Sequence, residues 1–304
     1  PDQSCLKLAL GLLVLPFTSS YVLINLENRN THLHWNSWPV DYKINLNSSA
    51  DFNATVVNDT IHDDFLRWTN ISPSNLTVSY QGDTSTDSAS NDGENAIFFL
   101  SSWPYNSGTI GITLISYNTV TGVIVDADIA FNDANFNFDT AGDSGKMDIH
   151  SIAVHEIGHF LGLDHSNLGT TSPWGVGTTE VPTMYPFASN GQTHARTPEL
   201  DDRAGTIGLL RNQSGLSTGT ILGNVRRNTS SDSGIQGASV ILFNNSIPMI
   251  GTLTEADAFT DGDFNMTGIP PGNYTLGVTP LSGNGVTKSN LNDWDDLETD
   301  FSQE

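Results

Sequence analysis

Three histidines and a glutamate crowd into one short run of this chain, His155-Glu156-Ile157-Gly158-His159-Phe160-Leu161-Gly162-Leu163-Asp164-His165. On a helix of about 3.6 residues per turn, positions four apart share a face, so His155 and His159 can offer ring nitrogens to one ion. Glu156 stands beside them. Gly162 can adopt the left-handed conformation that ends a helix, turning the chain so that His165 supplies a third nitrogen. Three protein ligands suit zinc and leave a fourth position for water, which separates a catalytic site from a closed structural one; zinc lowers the pKa of such a water to about 7. Histidines on a helix are ordinarily polar surface or satisfied core groups. The full H-E-x-x-H-x-x-G-x-x-H spacing, however, arises by chance with a probability on the order of 10⁻⁵ in a chain of this composition, so the chemical reading prevails.

Such ligands need a helix to carry them and a sheet behind it. Asp148 is placed to cap the helix, and Ile152, Ala153, Val154, Ile157 and Leu161 surround the ligands with apolar side chains. Upstream, Val40 to Leu46 alternates as a strand, and Val57, Ile61, Phe65 and Trp68 recur at helical spacing before Asn70-Ile71-Ser72-Pro73. Leu76 to Tyr80 reads as a second strand, residues 81–95 as a polar loop, and Ala96 to Leu100 as a short buried strand. Thr109 to Ser116 and Gly122 to Phe131 complete the sheet, the latter carrying Asp126 and Asp128. Beyond His165, residues 166–181 are a polar loop, followed by Pro182-Thr183-Met184-Tyr185-Pro186 and a last helix from Thr197 through Leu210.

The long histidine motif followed by a methionine turn resembles the metzincin signature. The opening strand, the helix ending in Trp-x-x-x-x-Pro and the closing Leu-Asp-Asp…Gly-Ile…Leu are similar to the matrixins, the matrix metalloproteinase type of metzincin, over about residues 34–211. The resemblance implies an α+β fold, with a twisted mixed sheet and an active-site helix, and a secreted zinc endopeptidase. It places zinc on His155, His159 and His165, Met184 beneath the zinc, and Tyr185 and Pro186 in the wall of the pocket for the side chain after the cut bond. It also puts the strand at 122–131 at the rim of the cleft, where a substrate peptide would add as a further strand. One departure stands out. Asp128-Ile129-Ala130-Phe131-Asn132-Asp133 is similar to a family run in which a histidine, here Ala130, binds a second, structural zinc. That zinc is not expected. Asp128 matches a calcium-binding aspartate of the family, so structural calcium is expected, although Asp126 and Asp128 would equally suit a plain solvated strand rim.

The bulk composition sets limits. The chain has 304 residues, enough for two domains, and a hydrophobic content of 37% that is compatible with a buried core. Eleven basic against 34 acidic side chains give a net charge of −23, which opposes nonspecific binding to nucleic acid or anionic membrane. The lone cysteine, Cys5, cannot form an intrachain disulfide. Leu8 to Phe17 is an apolar run preceded by Lys7 and followed by Thr18-Ser19-Ser20, the outline of a signal peptide over 1–20, although Tyr21 to Ile24 would extend the run towards an anchor.

A linker at Asn212 to Thr218 separates a region of different composition. Thr220 to Arg226, Ala238 to Phe243, Ala258 to Met266 and Tyr274 to Thr279 are short alternating strands, expected to form a small all-β sandwich over 219–284 before an acidic polar tail at 285–304. The turn at Gly268 to Leu276 is similar to carboxypeptidase-regulatory-like modules. All the catalytic candidates precede the linker, so few contacts are expected to cross it. The reading is a secreted, monomeric zinc endopeptidase, its catalytic domain spanning 21–212, acting on protein or peptide through a zinc-bound water activated by Glu156. The alternative is an adhesion or matrix-binding protein with an inactive or structural metal site, and the intact Glu156 argues against it.

Overall fold

A computed structural model describes residues 22–24, 32–71, 74–169, 181–209, 217–227, 233–254, 262–281 and 286. The signal-like segment at 1–20 and, apart from Val286, the acidic tail lie outside these residues. The first part of the chain is built on a mixed sheet of β1 (His34–Trp35), β2 (Val40–Ile44), β3 (Val78–Asp83), β4 (Ala96–Leu100), β5 (Gly111–Tyr117) and β6 (Val123–Asn132). β2 pairs in parallel with both β3 and β4, and β6 pairs in parallel with β4 and, at its start, with β1. β5 runs antiparallel to β6.

Parallel neighbours need a crossover, and α1 (Ala54–Thr69) supplies the one between β2 and β3. Asn53 opens it by accepting the N–H groups of Thr55 and Val56, both at 3.1 Å. Its buried stripe is the expected one, Val57, Ile61, Phe65 and Trp68, with Thr60 and Asp64 alongside. β7 (Phe138–Asp139) and β8 (Met147–Asp148) pair just before α2 (Ile149–Leu161), the helix that carries the histidines. Trp68 reaches across to donate its indole N–H to Val154 O at 2.9 Å, and Trp35 does the same to Phe160 O at 2.8 Å. One buried and one partly buried indole thus fix the height of α2 on the sheet. Val22 to Ile24 is buried against the end of α2, Leu23 bridging to Leu163. This portion of the apolar N-terminal run therefore packs against α2 and the segment that follows it. Among the described residues no helix is long and apolar enough to cross a membrane.

One expectation about the cleft is corrected. The strand at 122–131 was assigned to its rim, but β6 is paired along both sides, and β5 is the outer strand, facing α2. An inner strand reads as a nearly continuous apolar run, whereas β5 is only partly covered along its whole length.

After a short 3₁₀ turn (His194–Arg196) and α3 (Leu200–Leu209), the chain forms an antiparallel β domain. β10 (Ala238–Asn244) lies between β11 (Ile247–Leu253) and β13 (Thr275–Pro280), while β9 (Gly219–Asn224) pairs with β12 (Asp263–Ile269). β11 did not announce itself in the sequence because Pro248 stands inside it. As an edge strand it can lack one ladder donor. The expectation of few contacts across the linker does not hold: Val225, Val240, Leu242, Ile250, Phe264 and Met266 belong to the same continuous apolar core as α2.

Candidate metal centre

The centre is assembled at the end of α2. Asp148 caps the helix by accepting Ser151 N–H at 2.9 Å and the Ser151 hydroxyl at 2.7 Å. Arg196 donates Nε to the same carboxylate at 2.9 Å and also bonds Thr140 O at 2.7 Å. Burial alone would raise Asp148, but its bonds from Arg196 and Ser151 outweigh burial and hold it below the usual carboxylate range. At the other end Gly162 has φ +112°, and a Cβ there would meet Leu33 O at 2.8 Å. Only glycine allows this turn.

The turn brings the three imidazoles together. His159 Nε2 lies 3.1 Å from His155 Nε2 and 3.3 Å from His165 Nε2. The outer nitrogens of two rings are tied to backbone: His155 Nδ1 to Thr183 O at 2.7 Å, and His159 Nδ1 to Leu163 O at 2.8 Å. Each carbonyl requires an N–H at Nδ1, which leaves Nε2 as a bare lone pair aimed at the common point. His155 is held low by burial, and His159 lower still by burial and by the charges His165 and His155 would carry. Imidazole nitrogens brought this close with converging lone pairs repel one another unless a cation lies between them, and the donor set fits zinc. Among the described residues this is the only convergent group of three or more potential ligand side chains.

Glu156 is nearly buried beside the triad. Its carboxylate accepts the Thr113 hydroxyl at 2.7 Å, and the same hydroxyl reaches Glu156 O at 2.9 Å. Burial pushes Glu156 up to about 7, with the Thr113 bond working against it. Gly111 makes this closeness possible, since a Cβ there would stand 2.8 Å from Glu156 Oε1. Neither Thr113 nor Gly111 is marked by any motif, and the strand expected at the cleft was the next one in the chain, so the sequence carried no signal for either.

Met184 is buried under α2, where a Cβ on Gly158 would collide with its sulfur. The turn around it is held from below: Asp202 accepts the N–H groups of Thr183 at 2.8 Å and Met184 at 3.1 Å, and Glu199 also accepts Thr183 N–H at 3.0 Å. Burial first, then the neighbouring Asp202, pushes Glu199 up to about 9, while burial lifts Asp202 to about 6. A protonated Glu199 bonded to an ionised Asp202 accounts for both. Tyr185 leans on a cluster of Val22, Leu253, Leu281 and Val286, and Pro186 follows it, partly exposed.

Asp126 and Asp128 are buried behind the loop before β4, and their oxygens serve that loop. Asp128 accepts Ala96 N–H at 2.8 Å and Ser90 N–H at 3.0 Å, and Asp126 accepts Gly93 N–H at 2.8 Å. Burial, then the charge of Asp128, raises Asp126 to about 6. Ala130 sits in an apolar cluster with Ala96, Phe98, Leu100, Trp103 and Ile112.

Comparison with known families adds one finding: the matrixin peptidase model matches residues 34–206, more than half of the chain and all of the centre just described. No curated protein matches it.

Proposed function

Because this chain belongs to the matrixins, a family of zinc metalloendopeptidases, we propose that it cleaves protein or peptide backbones with His155, His159 and His165 as the zinc ligands and Glu156 as the general base. The observation that carries this reading is the convergence of three imidazoles, two of them anchored to backbone carbonyls, with one buried, hydroxyl-held carboxylate alongside. Zinc held by these three residues would supply Lewis-acid chemistry, polarising a carbonyl and acidifying a water. Glu156 takes the proton of the attacking water and returns it to the leaving amine, and its raised affinity for a proton near neutrality suits both halves of that task. Thr113 keeps the carboxylate turned towards the reacting water. β5 offers its outer edge to an extended substrate, antiparallel or parallel main-chain bonds holding the peptide along the cleft. Tyr185 and Pro186 wall the pocket beyond the cut bond, and Met184 underlies the zinc.

Cleavage of a denatured protein should stop on chelation and return when zinc is restored. Cleavage that persists in the metal-free protein, or a zinc-loaded protein that cuts no denatured substrate, would refute this reading. Two further parts of this reading are secretion and structural calcium. Secretion rests on the run from Leu8 to Phe17. Calcium rests on Asp128, which lies within reach of the charges of Asp92 and Glu94; a calcium titration of the melting temperature tests it, and a flat curve removes calcium from the account.

A further inference from the structure

We propose that the C-terminal β domain is a working part of the zinc centre, with Asn167 as the positioning residue that ties the His165 segment to it. The proposal rests on the zinc-peptidase reading. After Gly162 the chain carries His165 on a segment that is neither helix nor strand, so its backbone must be located by bonds to other elements. The catalytic domain provides some of these: Leu163 N–H to Gly158 O at 3.0 Å, Asp164 N–H to Val22 O at 2.9 Å and Ser166 N–H to Met184 O at 2.8 Å.

The β domain provides the rest. Asn167 is fully buried, and its side-chain amide donates to Ser239 Oγ on β10 at 2.8 Å and to Thr252 O on β11 at 2.9 Å. Both donations leave the catalytic domain. Leu168 packs with Ile241 and Phe243 of β10. Ser166 Oγ donates to Asp201 on α3, and the other oxygen of that carboxylate accepts Gly251 N–H from β11 at 2.8 Å. β11 comes this close because Gly251 has no side chain: a Cβ there would lie 2.5 Å from Asn167 Oδ1 and 2.9 Å from Leu168 Cδ2. Three consecutive residues directly after the third imidazole are thus bonded or packed, themselves or through Asp201, onto β10 and β11. A shift of these strands moves His165 relative to His155 and His159, which α2 holds independently. Leu253 and Leu281 of the same domain back Tyr185, so the contact extends to the pocket wall.

The test uses the full-length protein and reads zinc affinity by competition with a chromogenic chelator, beside the melting temperature of the metal-free form. Asn167→Ala and Ser239→Ala are compared with Val240→Ala, a buried β10 side chain that belongs to the shared core. Losing a partner behind a metal ligand typically weakens metal binding roughly 10- to 100-fold. Asn167→Ala is expected in that range, Ser239→Ala about threefold or more, and Val240→Ala within about twofold even where its melting temperature falls as far. If Asn167→Ala does not fold, Ser239→Ala against Val240→Ala decides. Unchanged affinity in Ser239→Ala, or an equal loss in Val240→Ala, overturns the proposal while leaving the zinc reading intact. A wild-type protein that binds no zinc at this centre overturns both.

Discussion

Gly158 lies between two ligand histidines, and its missing side chain matters as much as they do. A Cβ there would strike Met184 Sδ and press on the Trp68 ring. Gly158→Ala should therefore lower stability by about 1–3 kcal/mol, the usual cost of overpacking a full core, measured by denaturant unfolding; a neutral result would show that Met184 is free to move aside. Thr113 belongs to the same scale. Replacing it with Val removes the hydroxyl from Glu156 while keeping the shape, and turnover should fall about tenfold with zinc content unchanged, in line with the worth of a hydrogen bond to a charged group. Unaltered turnover would mean that Glu156 is oriented without it. His155, His159, His165, Glu156, Asp148 and Gly162 were legible in the sequence because helix geometry and capping act between near neighbours. Thr113, the Thr183 carbonyl and Asn167 were not. Each acts across a fold-generated contact, and a lone threonine or asparagine has no spacing to betray it.

At the scale of elements, periodicity disclosed α1, α2 and most of the strands, since burial on one face imposes it. What periodicity does not contain is neighbourhood: which of β5 and β6 is outermost follows from pairing, and the sequence assignment chose the wrong one. Two carboxyls at the start of α3 hold their protons unusually tightly. Glu199 is raised from its ordinary 4.5 to about 9 by burial and by Asp202, and Asp201 is raised to about 7 by burial and by the same neighbour. The sign follows directly: a carboxyl that holds its proton longer when folded contributes stability that is complete below its unfolded pKa and is lost as pH rises through the folded one. The melting temperature should therefore decline from pH 6 to pH 9. In Glu199→Gln, which has no proton to lose, the upper part of that decline should flatten. Equal slopes for the two proteins would show that Glu199 does not hold a proton there.

For the molecule as a whole, the change in composition after residue 212 pointed to a second β domain, and antiparallel strands form there. The seam between the two regions was invisible, because Asn167, Gly251 and Gly268 look like ordinary loop and turn residues until a backbone is laid against them; a Cβ on Gly268 would meet Ala204 O at 2.9 Å. The high negative charge opposes nonspecific binding to nucleic acid but says nothing of which peptide enters the cleft. The account stands or falls on Glu156. The most direct measurement is turnover of Glu156→Gln at verified zinc content: one zinc per chain should remain, while turnover drops roughly 10²–10⁴-fold, the span expected for a positioned acid and base. A fully active, zinc-loaded Glu156→Gln protein would contradict it.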